Sequence, residues 1–259
     1  MQPFTPNLAD LPEQLHTYLQ QAALYDNSYS PEARVYLIDK DSGYYLKTST
    51  AELLQREFEM TSYFHSLRLA AKIVEFITDG SQAWLLTEKL PGNDCTASIY
   101  LANPERLCDT LAEQLRALHS QNPTGCPNIN HTADYLLQVE QNYHAHRFDT
   151  TIFPDSNFAS PQTTYQFIQA NSHLLQPDTL IHGDYCLPNI ILDNWRFSGF
   201  VDLGNAGIGD RHIDLFWAAW SLGYNLKTDR YRQRFFDAYG RSDIYEEKLE
   251  LIAACEVFR

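Results

Sequence analysis

The stretch from Glu88 to Asp94, "EKLPGND", constrains the fold of this 259-residue chain more than any other segment, because the hydrophobic pattern differs on its two sides. Pro91 and Gly92 end regular structure there and mark a hinge between lobes. Before them, short alternating apolar runs are separated by turn residues, the period of strands. After them, apolar residues recur at helical spacing. A chain that changes period at a Pro/Gly break reads as an α+β protein of two lobes, 1–90 and 91–259.

In the first lobe, "RVYLI" (34–38) and "GYYLK" (43–47) flank Asp41, Ser42 and Gly43 as the strands of a hairpin would. "KIVEFIT" (72–78) and "AWLLTE" (83–88) flank Asp79, Gly80 and Ser81 in the same way. Between the hairpins lies one helical pattern, with Ser49 and Glu52 at capping-box spacing. An antiparallel sheet with one main helix packed on it follows. That helix carries an anomaly. Leu53, Met60, Phe64 and Leu67 form an apolar stripe, and the position that completes it is Glu57. A carboxylate on a buried face needs a cation, since an unpaired buried charge costs several kcal/mol or takes up a proton. Lys47, on the preceding strand, is the nearest candidate; the alternative is that Glu57 sits at the stripe's edge and reaches water.

Beyond the break, Asn103 and Pro104 form a helix-start signal ahead of Leu107, Leu111, Leu115 and Leu118 on one face. Further helical patterns run through 132–146, 161–174, 211–223, 228–239 and 245–257. Two short strands interrupt them, "NIIL" (189–192) and "FSGFVDL" (197–203), joined by Asp193, Asn194 and Trp195. The loop "HGDYCLPN" (182–189) enters this hairpin and Asp202 stands at its exit, so Asp184, Asn189 and Asp202 are expected to converge.

Such a set suits magnesium-assisted phosphoryl transfer. One carboxylate holds the attacking hydroxyl and accepts its proton, while an amide oxygen and a second carboxylate hold magnesium on nucleotide phosphates. Asp-x4-Asn resembles the catalytic loop of kinases, with Gly183 where protein kinases have arginine, and "VDLG" (201–204) stands where they have Asp-Phe-Gly. Each piece alone is weak. The ordered set of strand lysine, helix glutamate, Pro/Gly hinge, Asp-x4-Asn and Asp-Leu-Gly is much stronger. His182 reads as a structural histidine bonded to loop backbone, and Cys186 as a packed or partly exposed thiol. Asp210 suits a helix start, and Asp214 is either a second helix-start carboxylate or a brace for the loop's backbone N–H groups.

Composition narrows the partners. The net charge of −14, with most of the excess beyond residue 90, opposes binding to a nucleic-acid backbone. It is compatible with a cationic small molecule, although on charge alone a solubilising acidic surface is the more ordinary reading. No apolar run reaches the roughly 18 residues of a membrane span, and the N-terminus lacks a signal-peptide pattern, so a soluble cytoplasmic chain with no membrane partner is expected. The five cysteines are scattered without a C-x-x-C pair, which suggests neither disulfides nor a zinc site. Nothing implies an oligomer.

The segment from "LIHGDYCLPN" through "GDRHIDL" closely resembles the aminoglycoside phosphotransferases, especially the 3′-phosphotransferase (kanamycin kinase) branch. "SPEARVYLI", "YYLK", "REFEM", "LLTEKLPG" and "AACEVF" extend the resemblance over nearly the whole chain. It implies a two-lobed, protein-kinase-like fold: an N-terminal nucleotide-binding lobe with an antiparallel sheet and one main helix, and a mostly helical C-terminal lobe carrying a catalytic hairpin. The implied reaction is magnesium-dependent transfer of the γ-phosphate of ATP or GTP to the 3′-hydroxyl of an aminoglycoside, which confers antibiotic resistance.

By the same resemblance, Asp184 is the general base and Asn189 and Asp202 are the Mg2+ ligands. Lys47, paired with Glu57, contacts the nucleotide phosphates. Tyr45 stacks on adenine, the backbone of Thr87 and Lys89 binds its edge, and Ser30 lies over the phosphates. Glu256 and Phe258 fall where the family meets the cationic substrate. The chain departs from the family there: Cys255 replaces one acid of a pair, Arg259 adds a positive charge beyond Phe258, and Trp220 stands where relatives often have arginine. These departures leave open a kinase of a less charged sugar or amino alcohol; a separate alternative is a nucleotide-binding protein with little turnover.

Overall fold

The computed structural model describes residues 2–5, 11–28, 32–149 and 160–259. Its strand-forming sequences before Pro91 build one antiparallel sheet. Strands β1 (Gln2–Phe4), β2 (Ala23–Asp26), β3 (Arg34–Asp39), β4 (Tyr44–Thr50), β5 (Ile73–Asp79) and β6 (Gln82–Glu88) lie in the order β1-β2-β3-β4-β6-β5. β6 shows why this region is a sheet. Its alternate residues serve two cores, Trp84 and Leu86 packing with Ile38 and Leu46, and Ala83 and Leu85 packing with Leu54. A short helix, α1 (His16–Leu19), buries Leu19 in the first of these cores.

The main helix of this region, α2 (Ala51–Ser66), covers the second core. Its buried residues are Leu54, Glu57, Met60, Thr61 and Phe64. Glu57 therefore lies on the buried face, as the stripe suggests. Leu53 does not: it is 52% exposed, because the buried line passes through the neighbouring Leu54. The start of the helix also differs from the capping-box expectation. Thr50 is the N-cap, accepting from the Leu53 amide at 3.5 Å, whereas Ser49 still belongs to β4 and its hydroxyl donates to the Glu32 carbonyl at 2.6 Å.

The chain divides into two compact units, Met1–Gly92 with Ile191–Gly204, and Asn93–Ile190 with Asn205–Arg259. The hairpin of β9 (Ile190–Asp193) and β10 (Arg196–Phe200) thus groups largely with the sheet-bearing unit. The Phe200 amide donates to the Leu69 carbonyl at 2.7 Å and the Phe200 ring meets Phe64 edge-on at 6.3 Å. Its two-residue turn, Asn194 and Trp195, has φ of 49° and 70°, as a tight hairpin turn requires.

The second unit is mainly helical. It holds α3 (Ser98–Leu101), α4 (Pro104–His119), α5 (His131–His144), α6 (Pro161–Asn171), α7 (His212–Leu226), α8 (Arg232–Tyr239) and α9 (Glu246–Glu256). α4 buries Leu107, Leu111, Leu115 and Leu118, as its spacing predicts, with Pro104 in its first turn. Asn103 is its N-cap by position only; the side chain donates to the Ile99 carbonyl instead. Two short strands, β8 (Thr179–Ile181) and β11 (Gly207–Gly209), pair antiparallel. The two-residue β7 (Asn93–Asp94) opens the unit. α5, α6 and α9 share one core with Phe258 inside it. Among the described residues, no helix is long and apolar enough to cross a membrane.

Candidate active site

In the first unit, β4, α2 and the exit of β10 bring three charged residues together. The Lys47 ammonium lies 2.7 Å from Glu57 Oε2 and 2.7 Å from Asp202 Oδ1. Burial opposes the Lys47 charge, but the two carboxylates outweigh it and hold the ammonium above its usual range. Burial and the Asp202 charge push the Glu57 carboxyl up, against the pull of Lys47. Asp202 has φ of 59°, a left-handed backbone rare for a non-glycine residue, and half of its side chain is exposed. The lysine that answers the helix anomaly therefore also holds a solvent-accessible aspartate.

The neighbouring adenine-side candidates sit on adjacent strands. Tyr45 and Thr87 face each other in the β4–β6 register, both half-buried. Lys89 is exposed, and its amide donates to the Gly43 carbonyl at 3.0 Å, so its N–H is already committed within the protein. Ser30 lies outside the described residues.

In the second unit, the loop after β8 is fixed by backbone hydrogen bonds to a buried carboxylate. Asp214, in the first turn of α7 and fully buried, accepts from the His182 and Gly183 amides at 2.8 Å each. This is the bracing role left open by the sequence. Its Oδ2 also meets His119 Nε2 at 3.1 Å, and His119 Nδ1 meets the Tyr239 hydroxyl at 2.7 Å. Burial pushes the His119 imidazole below its usual value, although Asp214 pulls the other way. The neutral ring then donates to Asp214 and accepts from Tyr239.

Gly183 has φ of 80°, and a Cβ there would stand 2.0 Å from the Asn205 carbonyl oxygen. Only glycine lets the chain turn here. The loop is also tied to α4 by the Tyr185 hydroxyl, which donates to the Leu111 carbonyl at 2.9 Å, and to α7 by the Leu187 amide, which donates to Ser221 Oγ at 2.9 Å. On this frame Asn189 Nδ2 donates to both the carbonyl oxygen and Oδ2 of Asp184, at 2.9 Å each. The amide nitrogen orients the half-buried Asp184 carboxylate, leaving the amide oxygen as the group Asn189 can offer a cation. The His182 ring is buried and its Nδ1 accepts from the Asp184 amide at 3.3 Å, a backbone-supporting position. Burial raises the Cys186 thiol, which opposes any nucleophilic role.

The substrate-side candidates separate. Phe258 is fully buried, edge-on to Tyr143, Phe148 and Tyr165, so its ring is a core anchor and not an exposed contact surface. Glu256 is 4% exposed, accepts from the Tyr135 hydroxyl at 2.8 Å and lies 3.6 Å from an Arg259 Nη1. Burial pushes its carboxyl up, while Arg259, Tyr135 and the Trp217 indole N–H pull it down. Asp184 is near enough for its charge to act on both Glu256 and Arg259. Cys255 is fully buried. Along α7, Trp217 meets Trp220 edge-on at 5.4 Å, and Trp220 stacks on the exposed Tyr224 at 5.1 Å.

Comparison with known proteins identifies the family. Residues 28–251 match the model of the phosphotransferase enzyme family. The chain is 50% identical over 252 residues to a probable aminoglycoside 3′-phosphotransferase of Lactococcus lactis, covering 97% of this chain and 96% of that protein. In fold it resembles an aminoglycoside 3′-phosphotransferase of type VIII, with a TM-score of 0.79 at 22% identity, covering 97% of this chain and 99% of the other. It also resembles a Streptomyces rimosus aminoglycoside phosphotransferase solved with ADP and streptomycin, with a TM-score of 0.70 at 21% identity, covering 86% of this chain and 90% of that one. With its buried lysine–glutamate pair and its braced Asp-x4-Asn loop, the chain belongs to the phosphotransferase enzyme family, among the aminoglycoside phosphotransferases.

Proposed function

We propose that this chain transfers the γ-phosphate of ATP or GTP to the 3′-hydroxyl of an aminoglycoside, with Mg2+, as a cytoplasmic antibiotic-resistance enzyme. The observation that carries the reading is the Asp184 carboxylate, oriented by Asn189 on a loop whose backbone Asp214 holds. Such a carboxylate can position a hydroxyl and accept its proton as the hydroxyl attacks phosphorus. The half-identical relative supports the substrate class, and the ADP and streptomycin complex of the S. rimosus protein supports both ligand types.

Residues 1–90 are assigned the nucleotide and residues 91–259 catalysis and substrate. Lys47, held by Glu57, neutralises phosphate oxygens; Tyr45 offers a ring face to adenine, and the backbone of Thr87 and Lys89 its edge, through carbonyl groups in the case of Lys89. Ser30 is assigned to the phosphate-covering turn. The donor set fits magnesium, because the Asn189 amide oxygen and the Asp202 carboxylate are hard oxygen ligands. Magnesium is otherwise held largely by phosphates and water. When bound, the ion supplies neutralisation of charge on the transferring phosphoryl group. Glu256 is assigned to the substrate side, where it is paired with Arg259 and Tyr135, and Phe258 anchors the segment that carries it.

The pairing of Glu256 with Tyr135 and Arg259 favours a second reading, a kinase of a less cationic sugar or amino alcohol. A coupled ADP-release screen decides between them. Aminoglycosides with and without a 3′-hydroxyl are compared beside neutral sugars and amino alcohols. Turnover confined to 3′-hydroxyl aminoglycosides is expected; turnover on the neutral compounds alone overturns the first reading.

A further inference from the structure

The substrate-side carboxylate of this chain carries its own cation. Arg259 Nη1 lies 3.6 Å from Glu256 Oε1, and the guanidinium stands over the Tyr135 ring at 4.8 Å from its centroid. The same Tyr135 donates its hydroxyl to Glu256 Oε1 at 2.8 Å. The arrangement is built, not incidental: the Phe258 side chain fills the α5–α6–α9 core, the Asn142 amide holds the Phe258 carbonyl at 2.6 Å, and the Asp149 amide holds the Val257 carbonyl at 2.9 Å. These contacts fix Val257 and Phe258, the two residues between Glu256 and Arg259, and so deliver Arg259 to Glu256. The Arg259 side chain keeps about a quarter of its surface, at 23%, while Glu256 is enclosed. Of the pair, the guanidinium is the more exposed member. Trp217 packs on the core that holds Cys255 and Val257, and its carbonyl lies 4.0 Å from the thiol of Cys186, two residues beyond Asp184; this places the pair in the surroundings of the proposed general base, whose charge acts on both residues.

A positive charge held there changes what the site selects. An ammonium group entering beside Glu256 must either displace Arg259, which loses both its carboxylate and its aromatic face, or sit next to a like charge. A hydroxyl in the same place meets neither cost. We propose that Arg259 is a specificity-determining residue: its guanidinium neutralises Glu256 beside Asp184 and selects substrates that carry a hydroxyl in place of an amine on the ring bearing the reacting hydroxyl. This rests on the proposed reaction and narrows its substrate class to aminoglycosides with a less cationic reacting ring.

The test uses the full chain and a pair of aminoglycosides that differ only by hydroxyl or amine on the ring carrying the 3′-hydroxyl. Wild type, Arg259→Ala, Arg259→Gln and Arg259→Lys are compared by kcat/KM and by calorimetric binding. Loss of one charged contact to Glu256 corresponds to about tenfold in the amine-to-hydroxyl ratio, so that ratio is expected to rise about tenfold in the Ala and Gln variants. In the Lys variant, which keeps the charge, it stays within about twofold of wild type. A purely structural Arg259 lowers both rates together, and an unchanged ratio in all three variants overturns the proposal. If both compounds bind but neither is phosphorylated by wild type, the reaction assigned above fails, while the binding ratio still decides the role of Arg259. If neither binds, both fall.

Discussion

Lys47 Nζ stands 2.7 Å from a carboxylate oxygen of Glu57 and 2.7 Å from one of Asp202, so one ammonium ties together β4, α2 and the exit of β10. Glu57 restrains the lysine from the buried side, and Asp202 faces solvent. Replacing Lys47 by Ala removes the cation proposed to meet phosphate and leaves Glu57 buried without its counter-ion. A loss of one to two charged hydrogen bonds to the nucleotide corresponds to about 10- to 100-fold in kcat/KM for ATP. Steady-state kinetics with nucleotide varied should place most of that loss in KM. Glu57→Gln, which keeps shape but frees the lysine from its charge partner, should give a smaller loss in the same parameter.

Asp184 can be separated from nucleotide binding. Asp184→Asn keeps the side-chain volume and an oxygen for the Asn189 amide, but cannot take the proton of an attacking hydroxyl. General-base removal costs about 10²- to 10⁴-fold, so phosphate transfer should fall by that amount while calorimetric binding of magnesium and nucleotide stays near wild type. Transfer within a few-fold of wild type would reject Asp184 as the base.

The parts legible in sequence are those set by local period and by ordered motifs. The two hairpins and the Leu107–Leu118 face of α4 follow from side-chain spacing. Glu57 stood out because a charge completed an apolar stripe, yet the stripe itself was one residue off, at Leu54 and not Leu53. Neighbouring apolar positions on a helix differ by one-third of a turn, so either can lead the stripe until the sheet beneath selects one. β8 and β11 were illegible because three residues, two of them glycine in β11, are too short to show alternation. The pairing of Tyr135, Glu256 and Arg259 was hidden for another reason. It joins α5 to α9 across 121 positions, and no local pattern encodes such a contact. Gly183 was visible as a departure from the protein-kinase loop, but its cause, the Asn205 carbonyl 2.0 Å from where a Cβ would be, is purely tertiary.

That close approach makes Gly183 a sharp test of the loop. Gly183→Ala would force a side chain into a left-handed turn and against backbone, at a cost of roughly 1–3 kcal/mol before any clash is relieved. Since the carboxylate that follows it is Asp184, the shift should appear as a fall in kcat at unchanged nucleotide affinity. Urea denaturation and single-turnover kinetics measure the two effects separately.

Asp214 should matter to stability as much as to turnover. It accepts from two loop amides and from His119 while fully buried. Asp214→Ala leaves two buried backbone donors without an acceptor, for which each unsatisfied group costs about 1–3 kcal/mol. The urea midpoint should fall accordingly, and Asp214→Asn, which retains one acceptor oxygen, should lose less.

His119 gives the structure a pH dependence whose sign can be stated. Burial lowers its folded-state pKa below the free-imidazole value, even with Asp214 as partner. Between those two values the unfolded chain binds a proton that the folded chain does not, so stability falls as pH drops below about 6.5 and is fully present above it. The slope in that window approaches about 1.4 kcal/mol per pH unit from this one group. Glu57 and Glu256, raised by burial, take up protons in the folded state and act in the opposite direction at lower pH. The informative quantity is therefore the difference between wild type and His119→Gln, a variant that can still donate to Asp214 but does not titrate. Urea denaturation at pH 7.5 and at successively lower pH should show the wild type losing stability relative to His119→Gln. Parallel pH profiles for the two proteins would mean that His119 is as ready to take a proton when folded as when unfolded, and would remove the neutral His119 from the brace beneath the Asp184 loop.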